Sequence, residues 1–354
     1  MRTEQVGREL SGQTVNKIIL KCANWVGDTI ITTPTIRVVR QSYPSARITA
    51  IARPWVATLL RTNPDIDEVW EEEKHGRWRS FKRLARRLRD GRFDLGIAFP
   101  NSFAAALLLW AGRVRRRVGY ARDGRSFLLT DPVHVQPPLL RDHEVRYHFN
   151  LLSALGDVPE TIPPLVLEEQ SQAREAVNHL LETEGIAAGI PLIGINPGAF
   201  YGSSKRWPTN RFATVAQHLI KVTGGVVVLA GSKGEYSTAQ GICNIVGERA
   251  HNLSGRASLT ELVSLIRRMT IFVTNDSGPM HMAAALNVRT VAIFGPTDWI
   301  KTSPWSQNAI VIRRETACAP CMLRCCPIDH RCMERVLVAD VLEGVRRRWP
   351  ELGV

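Results

Sequence analysis

No run of this 354-residue chain is apolar enough to cross a bilayer, which takes about 20 residues; the most apolar stretch, Ala104 to Ala111, is far shorter. The opening residues, MRTEQVGRELSGQTVN, lack the apolar centre and cleavage site of a secretion signal, so a cytoplasmic protein is expected. There is no GxGxxG after a strand and no GxxxxGKS or GxxxxGKT. Nicotinamide-dependent redox chemistry and P-loop nucleotide hydrolysis are therefore disfavoured. No tight group of carboxylates suggests a catalytic magnesium site, and no short-period repeat is present. Cysteine is sparse except in one place. Cys22 and Cys243 stand alone, whereas Cys318, Cys321, Cys325, Cys326 and Cys332 share one segment.

What is present points to two α/β domains. The length exceeds one ordinary core. Apolar residues make up 44% and charged residues 22%, as in soluble globular proteins. The net charge of +13 is spread evenly: 26 Lys+Arg against 19 Asp+Glu in residues 1–170, and 20 against 14 in residues 171–354. No basic tail explains it. A basic surface suits anionic partners, and solubility alone is the alternative reading.

Along the first half, predicted strands 17–21, 47–52, 66–70 and 94–99 alternate with predicted helices 28–41, 56–63 and 78–90. Residues 143–156 read as a further helix. The segment DVPETIPPLVLEE (157–169) is rich in proline and acid and reads as a linker. The rhythm restarts with strands at 191–196, 226–231, 271–275 and 289–295, and helices from Thr209, Ser258 and Pro279. Ser258 and Glu261 form a capping-box pattern. A closing helix is expected at about 335–349, with room to pack back on the first domain. The expected fold is two doubly wound parallel sheets, residues 1–165 and 166–354, facing across a cleft lined by the loops after the strands.

Several of those loops carry suggestive chemistry. In VTNDSGPMHMAAAL (273–286) a strand gives way to a helix opened by Pro279. Free N–H groups at such a terminus suit phosphate, with Ser277, Gly278 and His281 beside them; a plain N-cap by Asp276 or Ser277 reads equally well. NPGAFYGSSKRWP (196–208) is a Gly/Ser loop ending in Lys205, a phosphate-neutralising cation or a solvated lysine. Glu235, after the strand ending near Gly231, suits ribose hydroxyls or simply a helix start. Asp28, in ANWVGDTIITTP (23–34), is either a helix cap or a general base at the end of the first strand.

The ordered set WVGD, PNSF, NPGAFYGSSKRWP, NDSGPMH and FGPTDW resembles glycosyltransferase family 9, over about residues 17 to 350. Within it the likeness is greatest to ADP-heptose:lipopolysaccharide heptosyltransferases of the heptosyltransferase II type. The resemblance implies a GT-B fold and inverting transfer of L-glycero-D-manno-heptose from ADP-heptose to the lipid A-linked lipopolysaccharide inner core, of heptosyl-Kdo2-lipid A type, without a catalytic metal or other cofactor. It makes Asp28 the catalytic base. Lys205, Glu235, Asp276, Ser277, Gly278 and His281 become donor-binding residues, and Trp25, Asn101 and Ser102 face the acceptor. A related transferase with another sugar donor or acceptor, or a non-catalytic binder of anionic glycolipid, remain the alternatives. Nucleic acid is not expected as a partner.

Two further segments stand outside those motifs. Between Lys74 and Arg92 there are nine Lys or Arg and a single acid, Asp90, with Trp78 and Phe81 among them. That pattern fits peripheral docking on the cytoplasmic face of an anionic inner membrane, or a solvated helix face. Arg113, Arg115, Arg116 and Arg117 are a second candidate for acceptor anions. In CAPCMLRCCPIDHRC (318–332), Cys318, Cys321, Cys326 and Cys332 have zinc-ligand spacing, with Cys325 and His330 as substitutes; reduced free thiols are the alternative.

Overall fold

The computed structural model describes residues 15–72, 77–156 and 158–354. They divide into two compact units, with the boundary between Val166 and Leu167. The first unit is built on β1 (Lys17–Lys21), β2 (Arg47–Ala52), β3 (Glu68–Glu71), β4 (Leu95–Ala98), β5 (Arg116–Tyr120) and β6 (Asp131–Val133), in the order β3-β2-β1-β4-β5-β6. The second is built on β7 (Leu192–Asn196), β8 (Val226–Leu229), β9 (Ala250–Asn252), β10 (Met269–Asn275), β11 (Thr290–Ile293) and β12 (Ala309–Ile312), in the order β12-β11-β10-β7-β8-β9. All pairings are parallel. Counted from its own first strand, each sheet has the same Rossmann-like order. The order reverses between β1 and β4 in one and between β7 and β10 in the other, which is where such sheets collect ligands.

The central strands are apolar on both faces because helices cover both sides. In the first unit Ile18, Leu20, Ile48 and Ile97 pack with Ile36 and Val39 of the helix Thr33–Ser42. Their neighbours Ile19, Ile51 and Ala98 point the other way, onto Leu84 and Leu88 of the helix Arg77–Gly91 and Leu108 and Leu109 of the helix Phe103–Ala111. In the second unit Ile195, Leu229, Ile271 and Val273 pack with Phe212, Val215 and Leu219 of the helix Thr209–Thr223. The closing helix spans Val338–Arg348, and its Val341 and Val345 lie in that same core.

The structure departs from the sequence reading in several elements. The helix expected at 28–41 is two helices, Val26–Ile30 and Thr33–Ser42. Thr32 and Thr33 donate their hydroxyls to the carbonyls of Thr29 (2.7 Å) and Ile30 (2.6 Å). Pro34 sits in the first turn of the second helix. The helix expected at 143–156 is α-helical only over Glu144–Phe149 and continues as a 3-10 turn, Asn150–Ala154. Strands β5, β6, β9 and β12 carried no readable pattern.

Candidate functional site

At the switch point of the second sheet, two loops run side by side. The loop after β7 is pinned by asparagines. Asn196 donates Nδ2 to the Ala230 carbonyl at 2.8 Å. Asn275, the last residue of β10, donates to the carbonyl of Pro197 at 2.8 Å and accepts from the Trp207 N–H at 3.1 Å. Trp207 is 1% exposed and donates its indole N–H to the Val336 carbonyl. The loop cannot drift, and it delivers Lys205 to a defined place. The Lys205 ammonium donates to Asp276 Oδ2 at 2.6 Å, and the Thr297 hydroxyl donates to the same oxygen at 2.6 Å. Both charged side chains are nearly buried, 12% and 6% exposed. Asp276 therefore does not cap the following helix; its charge is committed to Lys205.

That helix spans Gly278–Ala285, with Ser277 as N-cap residue but no side-chain cap bond. The Ser277 hydroxyl instead lies 3.1 Å from Asn196 Oδ1 and 3.3 Å from the Thr274 hydroxyl. In the first turn Pro279 has no N–H and Met280 donates its N–H to the Ser277 carbonyl at 3.1 Å, while no side chain caps the helix start. Gly278 is half-buried there and His281 is buried.

Glu235 closes a third side. It accepts from the Ser232 N–H at 2.7 Å and the Ser232 hydroxyl at 2.9 Å, a capping box at the start of a short 3-10 turn. The same carboxylate lies against two glycines. A Cβ at Gly198 would come within 1.6 Å of Glu235 Oε1, and one at Gly231 within 2.9 Å of Oε2. Both glycines are needed for the carboxylate to lie flat between the loops.

The cysteine segment is a strap against the Lys205 loop. Ser204 donates its N–H to the Arg324 carbonyl at 3.1 Å and its hydroxyl to the Leu323 carbonyl. Tyr201 donates its hydroxyl to the Met322 carbonyl at 2.6 Å, and His330 Nε2 lies 2.6 Å from the Ser204 carbonyl. A Cβ at Gly202 would come within 2.1 Å of the Arg324 carbonyl oxygen. The zinc expected on Cys318, Cys321, Cys326 and Cys332 is not supported. Among the described residues no three Cys, His, Asp or Glu side chains converge to hold a metal. Cys332 is turned into the core beside Gly295, while Cys318, Cys321 and Cys325 are exposed. Burial, then the nearby Cys318, Cys321 and Cys326, push the Cys332 thiol up to about 11. His330, a possible substitute ligand, is committed to Ser204.

At the switch point of the first sheet, Trp25 is the N-cap residue of the helix Val26–Ile30 and is 52% exposed. Asp28 lies in the first turn of that helix and is exposed, so the simple N-cap reading of Asp28 fails. Behind it, Trp55 donates its indole N–H to the Asn24 carbonyl at 2.9 Å. Across the switch point, Asn101 donates to the Tyr147 hydroxyl at 2.9 Å and accepts from Arg125 at 3.2 Å. Ser102 caps the helix Phe103–Ala111, its hydroxyl accepting from the Ala105 N–H at 3.3 Å.

Arg125 was missed by sequence reasoning. It is fully buried, and it donates to the carbonyls of Pro100, Ser102 (3.0 Å) and Tyr120 (3.0 Å) as well as to Asn101. Burial holds its pKa below the usual arginine value. It is a positioning residue for the 100–102 loop. Of the neighbouring arginines, Arg113 and Arg115 are exposed, while Arg116 and Arg117 are engaged within the first unit. Arg116 pairs with Asp131 at 2.7 Å, Arg117 donates to the carbonyls of Leu128 and Val114, and Arg115 faces Asp94 at 3.4 Å.

The comparisons with known proteins agree on one family. The model of glycosyltransferase family 9 (heptosyltransferase) matches residues 81–331. Lipopolysaccharide heptosyltransferase 2 of Salmonella typhimurium is 33% identical over 84% of this chain and 88% of its own length. Lipooligosaccharide heptosyltransferase 2 of Campylobacter jejuni is 29% identical over 93% of this chain and 97% of its own. The solved structure of the Escherichia coli ADP-heptose lipopolysaccharide heptosyltransferase II superposes with a TM-score of 0.82, at 28% identity, over 96% of this chain and 100% of that one.

Proposed function

The chain belongs to glycosyltransferase family 9, and we propose that it moves an L-glycero-D-manno-heptosyl group from ADP-heptose to the lipopolysaccharide inner core, on an acceptor of the heptosyl-Kdo2-lipid A type. The observation that carries this reading is the second switch point. A lysine locked by Asp276, which Thr297 holds in turn, stands with Ser277, Gly278, His281 and a helix start that no side chain caps. That is a set of donors arranged for an anion before the anion arrives, which is how charge developing on a leaving group is best stabilised. Glu235, held between Gly198 and Gly231, would accept from the ribose hydroxyls.

In the proposed reaction Asp28 takes the proton of the acceptor hydroxyl as that oxygen attacks the anomeric carbon. The bond from the anomeric carbon to the diphosphate oxygen breaks, ADP leaves with the electron pair, and the configuration inverts. Trp25, Asn101 and Ser102 would meet the acceptor. Lys205, His281 and the helix start would take up the growing charge with no divalent metal.

A cytoplasmic, peripheral location is part of the proposal. Among the described residues no helix is long and apolar enough to cross a membrane. On the helix Arg77–Gly91, Arg79, Lys82, Arg83 and Arg86 are exposed, and Trp78 is 71% exposed beside Phe81. Phe103 and Phe127 add a second exposed aromatic pair, with ring centroids 6.1 Å apart. Cations beside exposed rings suit an anionic bilayer surface, where the lipid-linked acceptor resides.

The test is an assay with ADP-heptose and defined core acceptors, with and without EDTA, on the parent and on Asp28→Ala. Transfer by the parent in EDTA, lost in the variant while ADP still binds, is the expected result. Full activity of Asp28→Ala removes the base assignment, a strict metal requirement removes the metal-free chemistry, and ADP binding without turnover on any heptosyl acceptor points to a different sugar or acceptor.

A further inference from the structure

Charge at the second switch point does not balance on the residues already named. Lys205 is matched by Asp276 at 2.6 Å, so that pair contributes a local dipole and almost no net charge. A diphosphate brings two negative charges or more and gains one as it leaves. A helix start supplies about half a positive charge. The Lys205–Asp276 pair and the helix start therefore leave the anion under-compensated.

The strap carries a cation that shares a ring neighbour with Lys205. The Lys205 ammonium lies 4.7 Å from the centroid of the Tyr201 ring, and the Arg324 guanidinium lies 5.2 Å from that same centroid. Tyr201 is held by its hydroxyl bond to Met322, two residues before Arg324. Arg324 is held by its backbone, whose carbonyl accepts from Ser204, and Gly202 leaves room for that close approach. Among the described residues no carboxylate pairs with the Arg324 guanidinium. One aromatic ring thus gathers two cations, each attracted to its electron-rich face. Lys205 already has its counter-charge in Asp276, so the Arg324 guanidinium is the member of the two that raises the local anion potential.

We infer that Arg324 is a second diphosphate-binding cation of the donor site, contributed by the cysteine strap rather than by any of the recognised loops. This deepens the proposed donor reading and rests on it. The planar guanidinium can bind two phosphoryl oxygens side by side, which a lysine cannot. Its loop location lets it follow the diphosphate as charge builds up, while Lys205 stays locked to Asp276. The strap then acquires a use: its backbone carbonyls order the Lys205 loop, and its side chain completes the charge.

Calorimetric titration with ADP, AMP and adenosine tests this on the full chain, for the parent, Arg324→Gln, Arg324→Lys and Arg313→Gln. Arg313 is a matched control, stacked on Trp299 at 4.6 Å and paired with Glu315. Arg324 is exposed and its bonds to the loop are made by backbone, so the variant keeps its fold; a melting curve like that of the parent verifies this. The expected result is an ADP affinity about tenfold weaker in Arg324→Gln, a smaller loss in Arg324→Lys, little change for adenosine, and Arg313→Gln like the parent. ADP binding by Arg324→Gln within twofold of the parent overturns the inference while leaving the donor reading intact. A parent that binds no ADP overturns the donor reading itself, and this inference with it.

Discussion

At the second switch point the aspartate is 5% exposed, buried under a lysine and a threonine, beside a loop pinned by Asn196, Asn275 and Trp207. At the first, the aspartate is exposed in the first turn of a five-residue helix whose N-cap residue, Trp25, is half exposed. The two sheets have one strand order, so topology does not set this difference. Side chains reaching across the two central loops do. A nucleotide diphosphate is small and constant, and rigid donors set before it arrives stabilise it best. A lipid-linked oligosaccharide is large, and its hydroxyl has to be reached from solvent. Under the proposed reaction, the same fold serves once as a grip and once as an open mouth.

The division is broken most directly at Asp28. Asp28→Ala should lower the turnover number about 10³-fold, within the range of general-base catalysis, with ADP affinity unchanged by calorimetry. Loss of ADP binding instead would mean that the two switch points do not share the work in this way.

The grip is tested at Asp276. Asp276→Asn leaves Lys205 nearly buried without its counter-charge, which should cost about 3 kcal/mol in urea unfolding. Adding Lys205→Met should restore much of that stability and none of the ADP affinity. If Asp276→Asn alone is as stable as the parent, the pair is not the buried lock described here.

Acid separates the units more gently. His148, in the first unit, is buried, edge-on to Phe99 and Tyr147, and burial holds its pKa down at about 4. An unfolded histidine titrates near 6.5, so between these values the unfolded chain binds a proton that the folded chain refuses. Stability is therefore lost as the pH falls below about 6.5, by about 2 kcal/mol at pH 5. Hydrogen exchange should show the first unit opening before the second as the pH is lowered, and His148→Gln should flatten that dependence. Equal acid sensitivity in both units would remove the contrast.

Much of this was legible in the sequence, and the failures have physical causes. Buried parallel strands read as apolar runs, so β1, β2, β4, β7, β8, β10 and β11 were visible. The hidden strands are peripheral or polar: β5 begins with Arg116 and Arg117, which are tied to partners on later segments; β6 is only three residues at an edge and contains Pro132; β9 reads Ala-His-Asn. Lys205, Ser277, Gly278 and Glu235 were found as residues of loops after strands. Their real partners were not, because Lys205 meets Asp276 and Ser277 meets Asn196 across 71 and 81 positions. Arg125 looked like one arginine among many, and only burial reveals what it does. The zinc expectation is not supported: spacing along the chain says nothing about which way a sulfur points, and Cys332 points inward.

The strap has one more consequence. Its exposed thiols, Cys318, Cys321 and Cys325, lie on the segment whose carbonyls hold Tyr201 and Ser204. Segments joined by such bonds open together, as one local unfolding event with one free energy. Whatever stiffens the Lys205 loop slows the exposure of the strap's buried thiol, Cys332, to a reagent, and whatever loosens it speeds that exposure. The molecule carries its own stopwatch: once the three exposed cysteines have reacted, the rate at which a soluble disulfide marks Cys332 reads how often the Lys205 loop lets go.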